Sequence, residues 1–238
     1  MHCAKKFVFC TAILLLLLPG LKAFAAAAVS PGQKDRDSVL RQLDEAAGNF
    51  RSTSADFEFD SITTDPIYDK EVQKGTVYYE RSGSRFKMAA HIREVDGRPV
   101  PKMYVYSGGV FRLYEKLIDQ VTTLTQVSKY QSYLMLGFGA SGRELEQKWE
   151  ITYLGSETLE GVKTAKLELV PKDPAVRKNL PRVTIWVDPQ RGVSLKQVFD
   201  EGPGQYRVCV YFNIKVNQPL PSGAFTFKTD SKTQYVVH

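Results

Sequence analysis

The sequence is poor in the residues that most often carry chemistry. It holds three cysteines and three histidines in 238 residues. Cys3 and Cys10 lie near the start, and Cys209 stands alone in Val208-Cys209-Val210-Tyr211-Phe212. A lone cysteine cannot close an internal disulfide. The alternating apolar context of Cys209 reads as a buried, inert thiol, with nothing nearby to lower its pKa. Apart from His2, the histidines are His91 and His238, and no further ligands are spaced around them for a metal. H-E-x-x-H, C-x-x-C, G-x-S-x-G and phosphate-loop patterns are all absent. Gly108-Gly109 is a turn rather than a phosphate cradle, because no helix follows it. No repeat, low-complexity block or linker divides the chain.

What the sequence does have begins with a three-part leader. Lys5 and Lys6 precede an apolar run from Phe7 to Leu18, which Pro19-Gly20 closes. Ala23-Phe24-Ala25 then supplies a small-x-small cleavage site. A membrane-spanning helix needs roughly 20 apolar residues, more than this run offers. Residues 1–25 therefore read as a cleaved signal peptide, residues 26–36 as a disordered leader, and residues 37–238 as one exported domain. Removing Lys5, Lys6 and Lys22, with no acid among them, takes the formal net charge from +6 to +3. That is too weakly basic to indicate nucleic acid.

Val39, Leu40, Leu43, Ala46, Ala47 and Phe50 recur at helical spacing, which predicts a helix from about Asp37 to Phe50. From Ser54 the period changes to two. Phe57 and Phe59 alternate with Asp56, Glu58 and Asp60, and similar runs recur through Val77–Tyr79, Phe86–Met88, Met103–Tyr106, Val110–Tyr114 and Ile118–Thr125. Strands are predicted again at 149–154, 164–170, 182–187, 193–199, 207–216 and 225–228. Short turns such as Ser107-Gly108-Gly109 join them, the signature of an antiparallel sheet. Tyr130 to Phe138 breaks the pattern and predicts a short apolar helix ending in glycine. Residues 174–179 read as one helical turn.

Asp56, Glu58 and Asp60 could be paired carboxylates, but they alternate with phenylalanines that must face the core. They read as a solvated outer face. His91 reads as a surface or interface histidine. The aromatics are numerous and spread over successive strands. They could fill an ordinary β core, or line an apolar cavity of the kind that curved sheets enclose.

Taken in order, these segments resemble the LolA-type periplasmic lipoprotein carriers. Leu43 to Phe57 resembles the family's opening helix and first strand, and Gly75-Thr76-Val77-Tyr78-Tyr79 its second. Arg81 with Phe86-Lys87-Met88 resembles the hairpin that follows. Val105 to Tyr114, Gln120-Val121, Leu169-Val170-Pro171-Lys172 and Phe225-Thr226-Phe227 match later motifs. The hairpin lacks the family's proline, Phe86 stands one residue further from Arg81, Ser107 replaces an aspartate, and the closing Pro-x-Gly is missing. These departures mark a diverged member.

The resemblance implies a mainly β (α+β) fold. This is an incomplete antiparallel β-barrel enclosing an apolar cavity, closed by an N-terminal helix and a short helical lid. It implies a periplasmic carrier that binds lipoprotein acyl chains or other lipid, with an inner-membrane exporter and an outer-membrane receptor as partners. Candidate cavity residues are Phe57, Phe59, Tyr79, Phe86, Met88, Tyr104, Tyr106, Phe111, Leu113, Leu134, Met135, Phe138, Trp186 and Phe199. Arg81 matches the family's arginine that hydrogen-bonds to the lid. No catalytic residue, metal, cofactor or nucleic acid is expected, and a monomer is. Three alternatives stay open: an envelope sensor, which would usually carry a second domain; an envelope hydrolase, whose polar constellation is missing; and a structural β domain.

Overall fold

The computed structural model describes residues 31–83, 85–125, 127 and 131–238. The expected signal peptide and residues 26–30 of the leader lie outside them. The first element, α1 (Pro31–Asn49), begins ahead of the expected Asp37. Residues 31–36, expected to be disordered, are thus helical. Proline suits a first helical position, where its fixed φ is already right and no N–H is needed. Arg36, which contacts Asp37 at 2.8 Å and Glu146 at 3.7 Å, ties this extra turn down.

The strands follow in chain order as β1 (Ser52–Thr63), β2 (Asp69–Ser82), β3 (Arg85–Val95), β4 (Arg98–Ser107), β5 (Val110–Glu115) and β6 (Gln120–Leu124). After the short helices α2 (Gln131–Leu134) and α3 (Gly142–Lys148) come β7 (Trp149–Leu159), β8 (Val162–Pro171), the one-turn α4 (Pro174–Arg177), β9 (Arg182–Asp188), β10 (Val193–Gly202), β11 (Gln205–Val216) and β12 (Gln234–Val237). The twelve strands of the described residues form one sheet in the order β12-β6-β5-β4-β3-β2-β1-β11-β10-β9-β8-β7. β12 and β7 are its two ends, so the barrel is incomplete, as expected. Every pairing is antiparallel except that of β12 with β6.

Three elements differ from the sequence expectation. Phe225-Thr226-Phe227 is a loop, not a strand. Phe225 and Phe227 pack on the outer face of the sheet, against a cluster of Ala89, Met103 and Val105. The strand near the C-terminus is instead β12. The helix α3 is an addition, too short to give a periodic signal. Its start is nevertheless written in the sequence: Ser141 and Glu144 form a capping box, each bonding the other's backbone N–H. Finally, the apolar helix expected to reach Phe138 is helical only over α2. Residues 135–137 form a turn, and Phe138 makes a β-bridge to Val193.

The inner face of the sheet has two halves. Over β7–β9, α1 and α3 press Val39, Leu40, Leu43 and Leu145 onto Trp149, Leu167, Leu169, Val183, Ile185 and Val187. Over β1–β4, Phe50, Met135 and Phe138 pack on Phe57, Tyr79, Phe86 and Tyr106. This second cluster covers only part of its half.

Candidate functional site: an apolar cavity

The uncovered part is a cavity of about 600 Å³. Strand alternation builds its walls. Phe57 and Phe59 of β1 pair with Tyr211 and Cys209 of β11, so all four share the inner face. Tyr79 pairs with Met88, and Met88 with Tyr106, which carries the same face across β2, β3 and β4. Leu134 and Leu136 close it from the lid side.

Of the candidates, Phe57, Phe59, Tyr79, Met88, Tyr104, Phe111, Leu134 and Phe199 line this cavity. Phe86, Tyr106, Met135 and Phe138 are buried in the adjoining core and form its packed floor. Tyr79 stacks on Phe138 with ring centroids 4.2 Å apart, and Phe138 meets Tyr211 edge-on at 4.8 Å. Leu113 shares the inner face through its pairing with Tyr104, but stands outside the lining. Trp186 is misplaced: it is on the outer face. Its neighbours Val183, Ile185 and Val187 point inward, and Lys166 and Lys196 each lie 4.8 Å over its ring. Its indole N–H donates to Glu157 at 2.6 Å.

Several lining residues lie beyond those candidates, among them Val77, Ala90, Ile92, Tyr133, Leu136, Gln197 and Tyr211. Ala90 shares its strand face with Met88, and Tyr211 with Cys209, so strand alternation could have found both. Gln197 could not be found that way. A buried glutamine is held in place by tertiary hydrogen bonds, donating to Leu136 O at 2.6 Å and accepting from Tyr211 Oη at 3.1 Å. Burial pushes the Tyr79 and Tyr211 phenols far up and the Cys209 thiol to about 12, so these groups stay neutral in the wall.

The lid is fastened on two sides. On one, Gly139 N donates to Gly192 O at 2.9 Å, and Ser194 N to Gly137 O at 2.7 Å. Gly137 and Gly139 both have positive φ, and a Cβ there would collide with the Ser194 side chain and the Phe50 ring respectively. On the other side, Arg81 reaches over from β2. Its Nη1 donates to Gly139 O at 2.6 Å, and its Nη2 to Glu144 Oε1 at 2.6 Å. Arg81 therefore grips the residue after the lid turn and the capping glutamate of α3, rather than the end of α2. Burial alone would raise the Glu144 carboxyl. Hydrogen bonds from Arg81 and from the Ser141 backbone outweigh it and hold the carboxyl below its usual range.

The remaining polar candidates lie elsewhere. His91 is on the outer face, its Nε2 2.9 Å from Ala224 O, with burial lowering its pKa against that hydrogen bond. Asp56, Glu58 and Asp60 form ion pairs with Arg93, Lys74 and Lys70 on the outer face. Among the described residues no group of three or more His, Cys, Asp or Glu is arranged to hold a metal. Among those same residues no helix is long and apolar enough to cross a membrane.

No family model matches the chain. An uncharacterized protein of Methanocaldococcus jannaschii is 22% identical over 195 residues, covering 82% of this chain and 52% of its own. The chain thus spans about half the length of the curated relative it matches. Among solved structures, an uncharacterized conserved protein from Thermus thermophilus overlaps 86% of this chain and 99% of its own, at 10% identity and a TM-score of 0.53. MucB overlaps 87% of this chain and 67% of its own, at 13% identity and a TM-score of 0.51. A LolA superfamily protein from Nitrosomonas europaea overlaps 81% and 97%, at 16% identity and a TM-score of 0.39. At such identities the likeness to the Thermus thermophilus protein and to MucB is one of fold alone, and the fold here is an open, mainly antiparallel sheet with helices across its inner face.

Proposed function

We propose that this protein is an exported carrier that shelters lipid acyl chains in the cavity between β1–β5, β10–β11 and the lid. The observation that carries the reading is the hollow itself, about 600 Å³ and walled mainly by aliphatic and aromatic side chains. Small-molecule sites span roughly 300–1,000 Å³ and have linings of this kind. Each methylene moved out of water contributes about 0.8 kcal/mol, so one long chain fully buried would contribute roughly 10 kcal/mol. A carrier must also release its load, and partial cover keeps that total down.

The finer reading follows the sequence resemblance. The cargo is the acyl chains of lipoproteins, taken from an inner-membrane exporter and passed to an outer-membrane receptor, after export through the signal peptide at residues 1–25. Arg81 acts in it as the lid tether. The test is mass spectrometry of the protein purified under non-denaturing conditions, beside Ala90→Trp, which places an indole in the cavity. Acyl lipid is expected on the wild type and not on the variant. A folded wild type that never retains acyl lipid, even after incubation with vesicles, would overturn the reading.

A further inference from the structure

A second hollow, of about 460 Å³, opens beside the first and reaches toward α4, where Val176 and Leu180 line it. The two share Phe59, Tyr133, Phe199 and Arg207, so the apolar space forks at these four side chains. Arg207 is the one charged residue in the lining of the larger cavity, among the described residues. It faces inward, because it pairs with Ser61 and Phe199. Its side chain is nevertheless 47% exposed, which places it where the fork meets water.

The guanidinium lies 6.0 Å from the Phe59 ring centroid, and Nη2 is 2.7 Å from Glu201 Oε1. A guanidinium has five N–H donors in a planar fork, and Glu201 engages only one edge of it. The rest suits an oxyanion held by two parallel hydrogen bonds. The other acid of the smaller hollow, Asp173, is already occupied, accepting from Ala175 N at 2.8 Å as the cap of α4.

We propose that Arg207 makes the site selective for lipids with an anionic headgroup, whose two tails divide between the lobes that meet at Phe59 and Phe199. The inference rests on the carrier reading and adds the headgroup class to it. Glu201 is the internal counter-ion, holding the guanidinium in place until a phosphate or carboxylate shares it. A wholly apolar cargo would gain nothing from a cation in its doorway.

The test incubates the full chain with vesicles of equal parts phosphatidylglycerol and phosphatidylcholine, then counts each lipid in the soluble protein fraction. The wild type is expected to extract phosphatidylglycerol in preference. Arg207→Gln should lower that preference about tenfold, the worth of a charge-assisted hydrogen bond at a partly exposed site. Arg207→Lys should keep part of it, and Glu201→Gln should raise it. Thermal melting confirms that each variant is folded. A lysophosphatidylglycerol retained as well as the two-tailed form would overturn the role of the second lobe. Extraction of both lipids without preference, or a preference that survives Arg207→Gln, would overturn the proposal alone. Extraction of neither lipid by the wild type would overturn the carrier reading and this one with it.

Discussion

The two halves of the inner face each carry a large apolar cluster and are differently used. Over β7–β9, two helices meet the sheet, and Leu167, Leu169, Val183 and Ile185 are completely buried. Over β2–β5, the cover is a single turn of helix and the turn after it. Tyr104 and Phe111 are left half-buried there. The difference lies in the cover, not in the strands. A helix of several turns fills a groove along its length, whereas a segment pinned at Gly137 and Gly139 touches the sheet at one end and leaves the other hollow. One half of the sheet thus supports the structure so that the other can stay open.

The largest expected effect comes from the filled half. Leu167→Ala should cost about 2–5 kcal/mol of unfolding free energy, because the packed surroundings cannot collapse onto the gap. Phe111→Ala, in the hollow half, should cost well under that. Denaturant titration of both variants checks this, and equal losses would erase the distinction between the halves.

Next in size is the lid. Gly139→Ala must force a Cβ onto the Phe50 ring at a positive φ, and should destabilise by about 1–3 kcal/mol in the same titration. If it is neutral, the lid is not seated as described.

A smaller effect is expected for Arg81→Leu, about 1 kcal/mol, because its bonds to Gly139 O and Glu144 are partly open to water. Its main consequence should be faster release of bound lipid, measured by stopped-flow transfer to vesicles. The same contact predicts a pH dependence. The Glu144 carboxyl is held below 4.5 in the folded protein, so its contribution is complete above about that pH. It is lost as the pH falls through the lower folded value. Release should accelerate on acidification in that range, and Glu144→Gln should flatten the profile.

The smallest effect concerns Cys209. Its thiol is buried and pushed up to about 12, so alkylation at mildly alkaline pH should wait for unfolding. Rapid labelling of the native protein would mean that the cavity wall opens far more often than this packing allows.

Much of this fold was legible because period-two alternation survives on strands with one wet face. Phe57 and Phe59 declared their face through the acids between them. Where both faces are covered, alternation fails. Arg182-Val183-Thr184-Ile185-Trp186-Val187 is nearly all apolar at its C-terminal end, and only the register with Lys166 and Lys196 shows that Trp186 points outward. Phe225-Thr226-Phe227 alternates like a strand because two aromatics dock on Tyr114 and the outer face, although no strand among the described residues pairs with it. The cavity was legible only as a choice between a filled core and a hollow one. Alternation with Cys209 and Tyr211 could have placed Arg207 inward, but its partners Phe59, Phe199 and Glu201 meet only once β1, β10 and β11 are in register.

The central claim is that lipid enters the hollow half and leaves the filled half untouched. Hydrogen exchange with and without a bound long-chain lipid, at the stoichiometry fixed by mass spectrometry, tests it most directly. Amides of β2–β5 and of residues 133–139 should gain protection, while those of β7–β9 stay unchanged. Protection appearing over β7–β9 instead, or no change anywhere with lipid bound, would contradict the account.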